Sequence, residues 1–238
     1  MNWVDAKAFL SRVVAWPVNG IGHVNLHYSM VNTRGGKDIV TGKPYQEIDQ
    51  LLGFCNWAEQ TNNIKELWYC TSLQSQTGLT SHGKVKAVRL KQNAVFLKAI
   101  WVDIDVGNTP DKPDKHYDTQ AEAWAAITKF RADAGLPQFS AAVNSGGGLH
   151  IYWISKTPLT PDVWQHYANG LKALLLKHNI KCDSGLTGDS ARILRIPGTF
   201  NHKYVPPKPV ELLPLPARDY DFELELAFLK GLVPVPTS

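Results

Sequence analysis

The stretch Ile100-Trp-Val-Asp-Ile-Asp-Val106 constrains the folds open to this chain more than any other. Side chains in a strand alternate between faces, so Asp103 and Asp105 project together while Val102, Ile104 and Val106 point into a core. An apolar strand gives up burial to carry two acids. Like charges at that spacing also repel unless a cation or substrate chemistry holds them there. A lone Asp-x-Asp is equally compatible with a strand end whose acids meet water, so the rest of the chain has to decide between the two.

With 238 residues the chain can bury a core as one large domain or two small lobes, and 44% hydrophobic with 10% aromatic content fits a globular protein. No apolar run is long enough to span a membrane, so no membrane partner is expected. Met1 to Trp16 mixes Asp5, Lys7 and Arg12 into its apolar residues, which is unlike a signal peptide and predicts a cytoplasmic protein. Cys55, Cys70 and Cys182 lie far apart and form no paired-ligand spacing, so reduced thiols and no zinc are expected. The net charge of +4 permits a nucleic-acid partner without demanding one. Clustering says more: between Lys172 and Lys208 stand Lys172, Lys177, Lys181, Arg192, Arg195, Lys203 and Lys208 against only Asp183 and Asp189.

Taken in order, residues 3–16 carry Val4, Ala8, Phe9, Val13 and Trp16 at helical spacing before Pro17. Residues 24–31 read as a strand, followed by a Gly-rich turn at Arg34, Gly35 and Gly36. An amphipathic helix over 45–60 uses Ile48, Leu51, Leu52, Cys55 and Trp57, and residues 66–73 are a second strand. Residues 75–91 are polar and without period. Their Lys84, Lys86, Arg89 and Lys91 lead straight to the acidic strand, as a template-contacting surface or a plain loop would. After a loop with Pro110 and Pro113, Thr119 and Glu122 form a capping box for a helix whose face is Ala123, Trp124, Ile127 and Phe130, ended by Gly135 and Pro137. Residues 139–144 and 149–154 make a hairpin through Ser145-Gly-Gly-Gly148. Thr160 and Pro161 start another helix, with Val163, Trp164, Tyr167, Leu171, Leu174 and Leu175 inward, and Ile193 to Ile196 is a last strand.

This order predicts an α+β fold: an N-terminal αβ unit over 1–96 packed on a split-βαβ, RRM-like catalytic unit over 97–216. A closing helix over 217–230 completes a single domain over 1–230, and 231–238 is a Pro-rich tail or linker start.

Three clusters carry chemistry. In Asn144-Ser-Gly-Gly-Gly-Leu-His150, consecutive glycines suit a main chain that approaches a ligand and offers N–H groups to anionic oxygens, with His150 as a further donor. Beyond Cys182, the acids Asp183 and Asp189 precede Arg192, Arg195 and Lys203, guanidinium and ammonium groups suited to a polyphosphate. With Asp103 and Asp105, these groups match the needs of two-metal nucleotidyl transfer. Acids hold hard divalent ions, Mg²⁺ or Mn²⁺, that activate a 3′-oxygen and steady the leaving pyrophosphate, while cations hold the triphosphate in line.

Val102-Asp-Ile-Asp105, Ser-Gly-Gly-Gly-Leu-His150 and Asp183 followed by Arg192-Ile-Leu-Arg-Ile-Pro-Gly-Thr-Phe-Asn-His-Lys203 together resemble the archaeo-eukaryotic primase (AEP) superfamily, and phage and plasmid primase-polymerases above all. The resemblance covers roughly residues 65 to 215. It implies Asp103, Asp105 and Asp183 as metal ligands and catalytic acids. It implies nucleotide contacts from His150, from Ser145 or the Gly148 backbone, and from Arg192, Arg195 and Lys203. One departure stands out: Gly148 occupies the place of the family's serine in Ser-x-His, with Ser145 upstream. Asp189 competes with Asp183 for the third acid position.

The implied function is template-directed DNA primase-polymerase activity from nucleoside triphosphates on single-stranded DNA, in a prokaryotic or phage-infected cell. A catalytically silent replication-initiation module of the same fold, or a glycosyltransferase using Asp-x-Asp, are the alternatives. The chain has no Gly-x-x-x-x-Gly-Lys-Ser/Thr loop, so a helicase, if one works with it, lies beyond Ser238 or on another protein.

Overall fold

Helix α1 (Trp3–Val13) buries Ala6, Phe9, Leu10 and Val13, while Val4 and Ala8, expected on that face, are exposed. Strands β1 (Val24–Met30) and β2 (Ile39–Tyr45) precede α2 (Ile48–Ala58), which buries Leu51, Leu52 and Cys55 but leaves Trp57 outside. Then come β3 (Ile64–Cys70), β4 (Ser72–Gln74), β5 (Thr77–Leu79), β6 (Val85–Ala87) and the long β7 (Ala94–Val106). Next are β8 (His116–Tyr117), α3 (Gln120–Asp133), β9 (Ala141–Asn144), β10 (Gly148–Leu159), α4 (Pro161–Lys177) and the single turn α5 (Ser184–Thr187). The chain ends in β11 (Ile193–Arg195), β12 (Phe200–Asn201), β13 (Lys208–Pro209), β14 (Glu211–Leu212) and α6 (Phe222–Glu225). This computed structural model describes residues 3–33, 35–107 and 115–233. Arg34, Pro110, Pro113 and the tail from residue 234 lie outside them.

By contacts the chain forms two units, Met1–Leu97 with Ser190–Leu212 and Lys98–Asp189 with Leu213–Ser238. In the first, a four-stranded sheet runs β11-β3-β1-β2. One face carries Leu26, Tyr28, Leu67 and Tyr69 onto the helices, with Phe9 edge-on to Tyr69 and Phe54 against Tyr28. The other face is polar although buried. Asn25, His27 and Ser29 share it with Glu66 and Arg195, which form an ion pair.

Burial, aided by the nearby charge of Arg89, lowers the His27 pKa to about 4. An unfolded chain takes up that proton near pH 6.5, so stability should fall as pH drops from 6.5 towards 4. The expected loss is on the order of 3 kcal/mol. Urea melts across that window should show this fall for the wild type and a flatter profile for His27→Gln.

The second unit is the expected split-βαβ core with one correction. Strand β10 lies between β9 and β7, as the pattern requires, with β8 parallel on β7. The Thr119–Glu122 capping box forms and Gly135 follows α3. Trp101 of β7 stacks on Trp164 of α4, their centroids 5.3 Å apart, and the Trp164 indole donates to the Ala99 carbonyl. The fourth strand of the expected unit, however, pairs elsewhere: Ile193, Leu194 and Arg195 run antiparallel to β3. Residues 190–212 therefore belong with the N-terminal unit rather than inside a 97–216 unit.

Three smaller expectations also change. Residues 75–91 contain the β5–β6 hairpin instead of an irregular connection. Thr160 sits at the helix start without a side-chain capping bond, beside Pro161 in the first turn. The closing helix over 217–230 is reduced to α6 and a 3₁₀ turn at Ala227–Gly231, because the segment stays extended until Asp221 caps α6.

Candidate active site

The acidic strand and the glycine hairpin are locked together within the second unit. Gly148 begins β10 directly against the Ile104–Asp105 backbone, and a β-carbon there would collide with the Ile104 carbonyl oxygen. The preceding turn needs Gly146 at φ +76°, a left-handed conformation that residues with a β-carbon seldom adopt. The Gly147 carbonyl accepts from the Val106 N–H at 2.9 Å and the Ser145 N–H donates to the Gly148 carbonyl at 3.0 Å. Asn144 holds the turn through the Gly146 N–H, while the Gln120 amide of α3 donates to the same side-chain oxygen.

This junction sets His150 beside Asp103, with Nε2 3.5 Å from Oδ1 and both side chains largely buried. Asp105, on the same face of the strand, is mostly exposed and lies 3.8 Å from His116 Nε2. The backbone explains that second pair, because β8 aligns His116 with Asp105 in parallel register. Asp183 caps α5 by accepting from the Gly185 N–H, and its other oxygen is 3.9 Å from Lys115 Nζ. Asp189, the competing acid, follows α5 and donates its N–H to the Leu186 carbonyl. Burial pushes the Cys182 thiol up to about 12, helped by the charges of Asp103 and Asp183. The neutral thiol therefore stands within electrostatic reach of both acids.

The remaining sequence candidates lie in the first unit. Arg192 accepts the Thr71 N–H and hydroxyl at its backbone carbonyl, which fixes the strand start. Arg195 is buried against Glu66 and lies over the Trp68 ring, so its guanidinium is engaged in the sheet. Lys203 is exposed beyond β12, its N–H held by Asn201. Lys84 and Lys91 are exposed, Lys86 is half-buried, and Arg89 donates to the Ala191 carbonyl.

Among solved structures, the AEP domain of the cyanophage S-2L primase-polymerase (PrimPol) is similar over 87% of this chain and 89% of its own, with a TM-score of 0.56. This chain has the archaeo-eukaryotic primase fold. The two sequences are only 15% identical. No family model matches the sequence, and no curated protein does.

The carboxylate oxygens of Asp103, Asp105 and Asp183 are hard donors of the kind a divalent cation such as Mg²⁺ or Mn²⁺ takes, and their neighbours Lys115, His116 and His150 would have to yield to such an ion. Among the described residues no three His, Cys, Asp or Glu side chains are already gathered tightly enough to hold an ion. Also among the described residues, no helix is long and apolar enough to cross a membrane.

Sequence reasoning missed Lys115, His116, Glu66 and the placement of Cys182. The first three act through non-local pairing that leaves no local pattern. Cys182 had a signal, its adjacency to Asp183.

Proposed function

We propose that this chain is a template-directed DNA primase-polymerase domain that joins nucleoside triphosphates on single-stranded DNA. The observation that carries the reading is the junction of β7 with the glycine hairpin, which sets His150 against Asp103 on a primase fold. In the reaction a 3′-oxygen attacks the α-phosphorus of the incoming nucleotide; the O–P bond to it forms as the bond to the leaving pyrophosphate breaks. Asp103, Asp105 and Asp183 would hold Mg²⁺ or Mn²⁺, which when bound supplies charge neutralisation and a more acidic 3′-hydroxyl. Asp189 remains the alternative to Asp183.

His150 orients Asp103 and donates to a triphosphate oxygen, while Ser145 and the Gly148 backbone shape the turn beside it. Arg192 and Lys203 contribute charge for the nucleotide or template. Arg195, already paired with Glu66, serves that function by positioning its neighbours on β11.

The reading is tested with purified protein, primed and unprimed single-stranded DNA, labelled ribo- and deoxyribonucleotides, and Mg²⁺ or Mn²⁺. Metal-dependent extension that EDTA stops is expected. No product with either metal and either sugar would point to the silent module instead. His150→Ala should raise the nucleotide KM about tenfold or more with a smaller change in kcat. An unchanged KM would remove His150 from the nucleotide site.

A further inference from the structure

The β5–β6 hairpin combines three features that the catalytic reading leaves unused. First, between Glu66 and Asp103 the chain has no acid, while Lys84, Lys86, Arg89, Lys91 and Lys98 all fall there. Second, the hairpin is firmly based. Asn25 Nδ2 donates to the Val88 carbonyl at 2.7 Å, the Leu90 N–H to the Gln74 side chain, and Arg89 to Ala191. Its turn is closed by the Thr80 N–H to the Lys84 carbonyl and by the Lys84 N–H to the Thr80 hydroxyl. Third, the last strand pair before its turn is apolar, while the turn itself, Thr80-Ser-His-Gly-Lys84, is polar. Leu79 and Val85 are direct cross-strand partners, so they stand side by side on one face, 63% and 57% exposed. On that same face Ala87 is buried against Gly42 of β2, so the face is seated at its base and open next to its turn.

A braced hairpin with an exposed apolar pair beside its turn and, along its own sequence, basic residues without acids is complementary to one class of ligand: a polyanion that also displays flat apolar faces. Unpaired nucleobases on a phosphate backbone meet that description, whereas a duplex hides its base faces. We infer that Leu79 and Val85 press on the unpaired bases of a single-stranded template while Lys84 and Lys91 hold its phosphates. This rests on the template-directed reading above and adds to it a base-contacting element, independent of sequence, in the first unit.

The test uses the full chain and two fluorescein-labelled oligomers of equal length, oligo-dT and an abasic deoxyribose-phosphate strand, over a salt series. Wild type should bind oligo-dT more tightly than the abasic strand. Leu79→Ser with Val85→Ser should weaken oligo-dT binding about tenfold, to near the abasic level, and leave abasic binding unchanged. Lys84→Ala with Lys91→Ala should weaken both and reduce the salt slope by about 1.4, the share of two phosphate contacts on a single strand.

Unchanged oligo-dT affinity in the serine variant overturns the inference, and so does equal weakening of both strands. A wild-type dimer in sedimentation that the serine variant converts to monomer would make this apolar pair a self-association surface and would also overturn it. Primer extension separates the two readings. Base-dependent binding without extension rejects the polymerase and keeps the base-contacting hairpin, while extension with an oligo-dT affinity indifferent to the serines does the reverse.

Discussion

Asp103→Asn should abolish nucleotide incorporation, by at least about a thousandfold, while the protein stays folded and still binds single-stranded DNA. The substitution keeps the shape of the side chain and removes its charge, at a position where the carboxylate faces His150 and lies within reach of the Cys182 thiol. The change alters one side-chain group and leaves the β7 backbone as it is, so circular dichroism and the melting temperature should stay close to wild type. A gel of extended primers reads the catalytic effect, and fluorescence anisotropy with labelled DNA reads the binding. Full-length products from the purified variant would remove Asp103 from the reaction, and with it the assignment of the strand as the metal-holding element.

Gly148→Ala should strain the second unit at the point where the glycine hairpin meets the acidic strand. The new β-carbon meets the Ile104 carbonyl oxygen, a backbone atom that cannot rotate away, so either β10 or β7 must move. Overpacking of this kind costs about 1–3 kcal/mol, which shifts a melting temperature by several degrees. Activity should fall further than stability, because the same displacement draws His150 away from Asp103. Gly53→Ala is the control: it lies in α2 with open space where the β-carbon would go, so the change should be neutral or stabilising by up to about 1 kcal/mol. A melting temperature unchanged by Gly148→Ala would mean that the hairpin and the acidic strand are less tightly joined than described.

Local signals in the sequence were read well because the physics behind them is local. The Thr119–Glu122 box, the β7 alternation that buries Val102 and Ile104 under Asp103 and Asp105, and the three-glycine turn each depend on a few consecutive residues. The order β9-β10-β7 followed from the pattern of elements alone. What was illegible is where strands of similar character find partners. Ile193 to Arg195 has the composition of any short buried strand. Nothing near it in sequence says that it will lie along β3 and place Arg195 on Glu66. Strand β2 interrupts Ile39, Val40 and Thr41 with Gly42 and Pro44, residues that strands seldom hold, and its pairing with β1 keeps it extended through them. For the site, the acids and His150 were visible as residue types. Their immediate neighbours Lys115 and His116 were not, because the parallel pairing of β8 with β7 brings them in.

The return of residues 190–212 to the first unit bears on how the molecule is made. On a ribosome, β3 emerges with one edge bare, and its partner strand follows more than a hundred residues later. During that interval Glu66 has no guanidinium to meet it, and the edge at Trp68 and Tyr69 is open to another chain. Shortened versions ending near Leu97 should for that reason aggregate instead of yielding a free-standing lobe, and a workable dissection of this protein would have to splice the late segment back onto the early one.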